Sequence, residues 1–91
     1  MIEKILDKYY AKKLFNKLCS DIILSDKDLS LYMQIKNDFV CLYANYKGTK
    51  ALKNYTLIHV WNINDSVYHL MHYKECKENV FGDMVCLLPK T

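Results

Sequence analysis

The sequence predicts an α+β fold: an N-terminal helix packed on a four- to five-stranded antiparallel sheet in meander order. Three observations carry this expectation. The stretch from Ile2 to about Cys19 contains neither Gly nor Pro and repeats apolar residues at helical spacing. A strictly alternating segment, Leu29 to Lys36, precedes Asn37-Asp38, and Phe39 to Tyr46 beyond that turn agrees with it in register. The remaining apolar runs are short, rich in β-branched and aromatic residues, and bounded by turn residues.

In the first helix, Ile2, Ile5, Leu6 and Tyr9 share one face. Tyr10, Leu14 and Leu18 form an i, i+4 row that has rotated away from it. A drifting stripe of this kind implies a helix wrapped over a twisted surface, or a second partner for its C-terminal half. Lys4, Lys8 and Lys12 form a further i, i+4 row, flanked by Lys13 and Lys17. Ser20-Asp21 and Ser25-Asp26-Lys27-Asp28 punctuate the next segment, and Ile22-Ile23-Leu24 between them reads as a buried exit from the helix.

Leu29, Leu31, Met33 and Ile35 alternate with Ser30, Tyr32, Gln34 and Lys36, the period of a half-buried strand. Asn37-Asp38 tolerates the positive φ of a tight hairpin turn, and Phe39 to Tyr46 returns. A two-residue loop sets Lys36 opposite Phe39, Ile35 opposite Val40, Met33 opposite Leu42 and Leu31 opposite Ala44. Leu29, Leu31, Met33, Ile35, Val40, Leu42, Ala44 and Tyr46 then share one apolar side, and a one-residue slip destroys that agreement.

Lys47 to Lys50 is a polar turn, and Asn54 to Asn62 reads as a third strand. Asn62 to Asp65 is turn-like. Val67 to Tyr73 reads as a fourth strand. A helix over 67–79, capped by Asp65 or Ser66 and carrying Val67, Leu70 and Met71 at helical spacing, is the competing reading. Gly82-Asp83 reads as a turn before a short last strand from Met84 to Leu88.

The 91 residues read as one domain, 1–91. A hydrophobic content of 52% excludes intrinsic disorder, and two glycines leave little material for a phosphate-cradling loop. The net charge of +3 comes from 13 Lys, with no Arg, against 10 acidic residues. Lysine neutralises phosphate as a point charge, whereas geometric reading of a base edge favours the arginine fork. Cys19, Cys41, Cys76 and Cys86 form no CxxC pair, and no apolar leader or membrane-length run is present. Reduced thiols in a cytoplasmic protein are the expectation, in the host-cell cytoplasm if the gene is viral. Lys, Asn, Ile, Tyr, Phe and Met, all encoded by AT-rich codons, fill 42 positions, and Gly, Ala, Arg and Pro fill 6. That bias suits a phage, another virus, a plasmid or a low-GC bacterium.

Catalytic signals are weak. His69, His72 and Cys76 would line one side of a helix, but the spacing matches no familiar zinc site and a strand would split the two histidines between faces. Cys41 and Cys86 sit in apolar runs where a thiol is inert. No carboxylate pair has the spacing of a general acid and base. No catalytic residue, metal or cofactor is therefore assigned, and the protein is expected not to be an enzyme.

Binding signals are stronger. The expected binding residues are Lys4, Lys8 and Lys12 on the helix with Tyr32, Tyr43 and Trp61 on the sheet. Tyr and Trp rings bury area at low entropic cost and keep a polar tip. One helix cannot cover both faces of a sheet, so some aromatic surface is expected to stay open. The leading expectation is a small non-enzymatic binding protein from a phage or mobile element, occupying a protein surface. Inhibition of a host defence nuclease or of host transcription machinery is the kind of role meant. The alternatives are a nucleic-acid-binding accessory protein, with lysines on phosphate and aromatics on bases, and a structural homodimer. No membrane association is expected.

Overall fold

The computed structural model describes residues 2–25, 29–46 and 55–84. Helix α1 spans Ile2–Ser25, and strands β1 (Leu29–Lys36), β2 (Phe39–Tyr46) and β3 (Thr56–Asn62) come next. A 3-10 turn at Ile63–Asp65 leads into helices α2 (Ser66–Met71) and α3 (Tyr73–Met84). The fold is α+β, with an antiparallel sheet of three strands in the order β1-β2-β3.

The first hairpin has the register read from its alternation, from Leu29 opposite Tyr46 to Lys36 opposite Phe39. Asn37 takes the left-handed conformation at the turn, with φ 55°. Asn tolerates that region because its short polar side chain can bond locally. The Ile63 N–H donates to the Asp38 carbonyl at 2.8 Å, which ties the hairpin turn to the exit of β3.

Val40, Leu42 and Ala44 point inward from β2 and meet Ala11, Leu14, Leu18 and Ile22 of α1. Trp61, Ile63, Cys76 and Val80 complete this buried cluster. All the described helices that contribute to it lie on the inner side of the sheet, so the described residues form two layers.

Three sequence expectations are corrected. First, α1 does not stop near Cys19. It runs through Ser20-Asp21 because both residues find partners within a helix: Ser20 Oγ donates to the Asn16 carbonyl at 3.1 Å, and Asp21 faces α3. Ile22 is thereby carried into the core rather than out of the helix. Second, 67–73 is helical, not a fourth strand. Ser66, Leu70, Tyr73, Cys76 and Val80 are the residues that turn inward, a spacing of three and four that no strand can present. The helix bends at His72 (φ −110°, ψ 47°), yet the His72 N–H still reaches the Tyr68 carbonyl at 3.0 Å. Third, Gly82-Asp83 lies within α3 rather than at a turn. The proposed turn at 47–50 and the strand residues from 85 to 88 lie outside the described residues.

Helices α1 and α3 are joined by a polar contact at the rim of the core. Tyr73 Oη donates to the Asp21 carboxylate, and Lys77 Nζ lies 3.9 Å from the same oxygen. Lys17 Nζ stands 4.7 Å from the centre of the Tyr73 ring. Burial, and then the hydrogen bond and charge of Asp21, push the Tyr73 phenol well above its ordinary pKa.

Candidate functional site

The outer face of the sheet collects the side chains that α1 and α3 leave uncovered. Alternation places Tyr32 and Gln34 of β1 and Phe39, Cys41 and Tyr43 of β2 there. The third strand joins through a register shift. Leu42 lies opposite His59, but Tyr43 lies opposite Leu57, so Ile58 is the extra residue of a bulge. Ile58 turns onto the core, and Leu57 comes to the outer face beside Val60 and Tyr55.

The result is an aromatic and aliphatic platform. Tyr32 packs against Tyr43 (5.9 Å between ring centres) and Tyr55 (5.6 Å). Tyr43 Oη donates to Gln34 Oε1 at 3.3 Å, which holds that ring across the strands. Tyr32, Phe39, Tyr55, Leu57 and Val60 remain 44–50% exposed. Lys36 is the charged residue at this face among the described residues of the three strands.

The expected binding residues are not brought together. Tyr32 and Tyr43 form the centre of the platform, while Lys8 and Lys12 are exposed in the opposite layer, on α1. Lys4 lies on the same helix, near its start. Trp61 leaves the set altogether: it is 6% exposed, faces inward, and donates from Nε1 to Ser66 Oγ at 2.9 Å. Its pairing with Val40 explains this, because directly opposed residues share a face, while the bulge moves Leu57 to the other one. Val60, the neighbour of Trp61, takes the outer face by alternation, and Tyr55 and Leu57 join it only through the bulge, which alternation alone cannot locate.

Helix α1 departs from expectation in another way. Ile5, Leu6 and Tyr9 are 69%, 46% and 57% exposed. At 100° per residue they lie roughly opposite the buried row Ala11-Leu14-Leu18. The drifting stripe is thus two separate patches, one facing the core and one facing solvent. Tyr9, Lys12, Lys13 and Asn16 line an open depression of about 260 Å³ on the solvent side.

The histidines form part of a ring cluster at the β3–α2 junction. His59 and His69 both lie about 6 Å from Trp61, and Tyr68 packs against His69 and His72. Cys76, by contrast, is buried in the core, so the three residues considered as zinc ligands do not converge. Among the described residues no group of three His, Cys, Asp or Glu side chains is placed to hold a metal ion. Cys19, Cys41 and Cys76 are free thiols, and burial raises the pKa of Cys19 and Cys76, which disfavours the nucleophilic thiolate. No described helix is long and apolar enough to cross a membrane.

No family model, curated protein or solved structure matches this chain, so the residues alone bear on function.

Proposed function

We propose that this is a non-enzymatic binding protein that acts by covering part of another protein's surface, with the outer face of the sheet as its contact. One observation carries the reading: a three-stranded face holding Tyr32, Phe39, Tyr43, Tyr55, Leu57 and Val60, five of them about half exposed, on the side away from the core. Apolar surface of this kind is stabilised by a dry contact, and its tyrosines supply polar tips at the rim. The AT-rich coding bias favours a phage or mobile element as the source, and inhibition of a host defence nuclease or of transcription machinery is the role this setting suggests.

The placement of charge disfavours the nucleic-acid alternative. Lys8 and Lys12 lie in the helix layer and Tyr32 and Tyr43 on the far side of the sheet, so a single strand cannot lie on both without wrapping round the molecule. Capture from a nuclease-treated lysate of a low-GC bacterium tests the proposal. The wild type is expected to retain a stoichiometric protein partner, and the triple variant Tyr32→Ser, Phe39→Ser, Leu57→Ser to lose it. Equal capture by both overturns the assignment of the face.

A further inference from the structure

We infer that two copies of this chain pair edge to edge through β1, forming one continuous six-stranded sheet. Among the described strands the order β1-β2-β3 leaves β1 at an edge. The hydrogen bond from Ile63 N–H to the Asp38 carbonyl sets the phase of the sheet. Asp38 and Val40 direct their backbone groups toward β3, so Phe39 and Cys41 direct theirs toward β1. Their partners Lys36 and Gln34, and by alternation Tyr32 and Ser30, bond inward. The N–H and C=O groups of Leu31, Met33 and Ile35 therefore point out of the sheet, and no described strand pairs with them.

The two edges differ in protection. Strand β3 is interrupted by the bulge and leads directly into the 3-10 turn. Strand β1 is eight residues long, pairs with β2 without a bulge, contains no Pro, and carries its single charge, Lys36, at the last position. Long, regular, nearly uncharged edges invite a further strand. The side chains of the outward-bonding residues support this. Leu31, Met33 and Ile35 pack against the core yet stay only partly buried, so a neighbouring strand would extend the apolar layer over them.

A second copy fits this edge about a two-fold axis. A two-fold axis at Met33 sets Leu31 opposite Ile35 of the second copy and Tyr32 opposite Gln34. Lys36 then faces Ser30 rather than another lysine. This register forms about six inter-chain backbone hydrogen bonds and uses Ser30 to Lys36 throughout. A two-fold axis at Tyr32 also bonds Leu31, Met33 and Ile35 across the seam, within Leu29 to Ile35, and leaves Lys36 beyond the paired stretch. The pairing also answers a shortage of area. Three strands of seven or eight residues span roughly 27 by 14 Å, or about 400 Å² in plan, against about 800 Å² per partner in a standard interface. Two copies side by side double the aromatic face. The pairing does not depend on what that face binds.

Sedimentation and amide exchange on the purified protein test it with no partner present. The wild type is expected to sediment at twice its 10.8 kDa chain mass. The Leu31, Met33 and Ile35 amides should be protected at high concentration and released on dilution, while Tyr32 and Gln34, bonded to β2, stay protected. Met33→Pro removes an N–H that the hairpin does not use, and should weaken association at least tenfold with the circular dichroism unchanged. A monomer at millimolar concentration overturns the proposal. So does protection of Leu31, Met33 and Ile35 in a monomer, which would mean that the chain covers its own edge. The dilution series decides the matter even if the proline variant does not fold.

Discussion

The two faces of the sheet are nearly equal in apolar character and opposite in use. Along β2, Val40, Leu42 and Ala44 are fully buried in the core they share with α1, while Phe39, one residue away from Val40, is half exposed. The same holds across β3, where Trp61 is buried and its neighbour Val60 is open. Hydrophobicity alone therefore does not say which residues hold the fold together. What separates the faces is a layer of helices on one side, and the comparison predicts sharply different costs for similar truncations.

Leu42→Ala should show the largest effect. It removes a fully buried side chain from the cluster that holds Leu14 and Leu18, and a loss of about 2–5 kcal/mol is expected from urea unfolding. Phe39→Ser, on the other face, should cost less than about 1 kcal/mol despite deleting a larger side chain. Similar losses at both positions would break the comparison, because they would place the outer face inside a core. Next in size is Trp61→Phe, which leaves the buried Ser66 hydroxyl without its donor. The cost should be about 1–3 kcal/mol, with much of it recovered when Ser66→Ala is added.

These contrasts explain how much was legible in the sequence. The first hairpin could be read because alternation and a two-residue turn constrain each other: only one register puts Leu31, Met33, Val40 and Leu42 on one side. The outer positions of Tyr32 and Tyr43 came from the same constraint. Residues 67–73 could not be read so, since Val67, Tyr68 and Leu70 satisfy a strand and a helix equally well over so short a span. What decides between them is Ser66 meeting Trp61 and Val80 entering the core, contacts between segments that no local pattern records. The β3 bulge was hidden for a similar reason. It inserts one residue, Ile58, and thereby puts Leu57 on the face opposite Trp61, whereas plain alternation puts the two on one face. The patch of Ile5, Leu6 and Tyr9 was visible as a stripe, but its direction depends on where α1 crosses the sheet.

Asp21→Asn tests the rim between these layers. It weakens the acceptor of the Tyr73 hydroxyl and removes the charge facing Lys77, and a loss of about 1–2 kcal/mol is expected. Ultraviolet titration should show the Tyr73 phenol ionising at lower pH than in the wild type, though still above free tyrosine, since burial is the larger cause of its displacement. An unchanged Tyr73 titration would mean that the carboxylate does not act on the phenol.

The smallest expected effect is a pH dependence confined to the inner side. His69 packs edge-on against Trp61, and burial holds its imidazole below the ordinary value near 6.5. His59 adds repulsion in the same direction, whereas Asp65 and Glu75 oppose it. Well above pH 6.5 the ring is neutral in both folded and unfolded chains and contributes no slope. As the pH falls below that value the unfolded chain takes up the proton first, so stability must decline. The decline ends once the folded ring is protonated as well. The urea midpoint should therefore drop between about pH 7 and pH 5, and His69→Gln should flatten that drop. Phe39→Ser provides the contrast, because a residue on the outer face is remote from the ring cluster and should leave the slope intact. If His69→Gln retains the full slope, the acid sensitivity belongs to another group, and the inner face does not distinguish the charge states of this histidine.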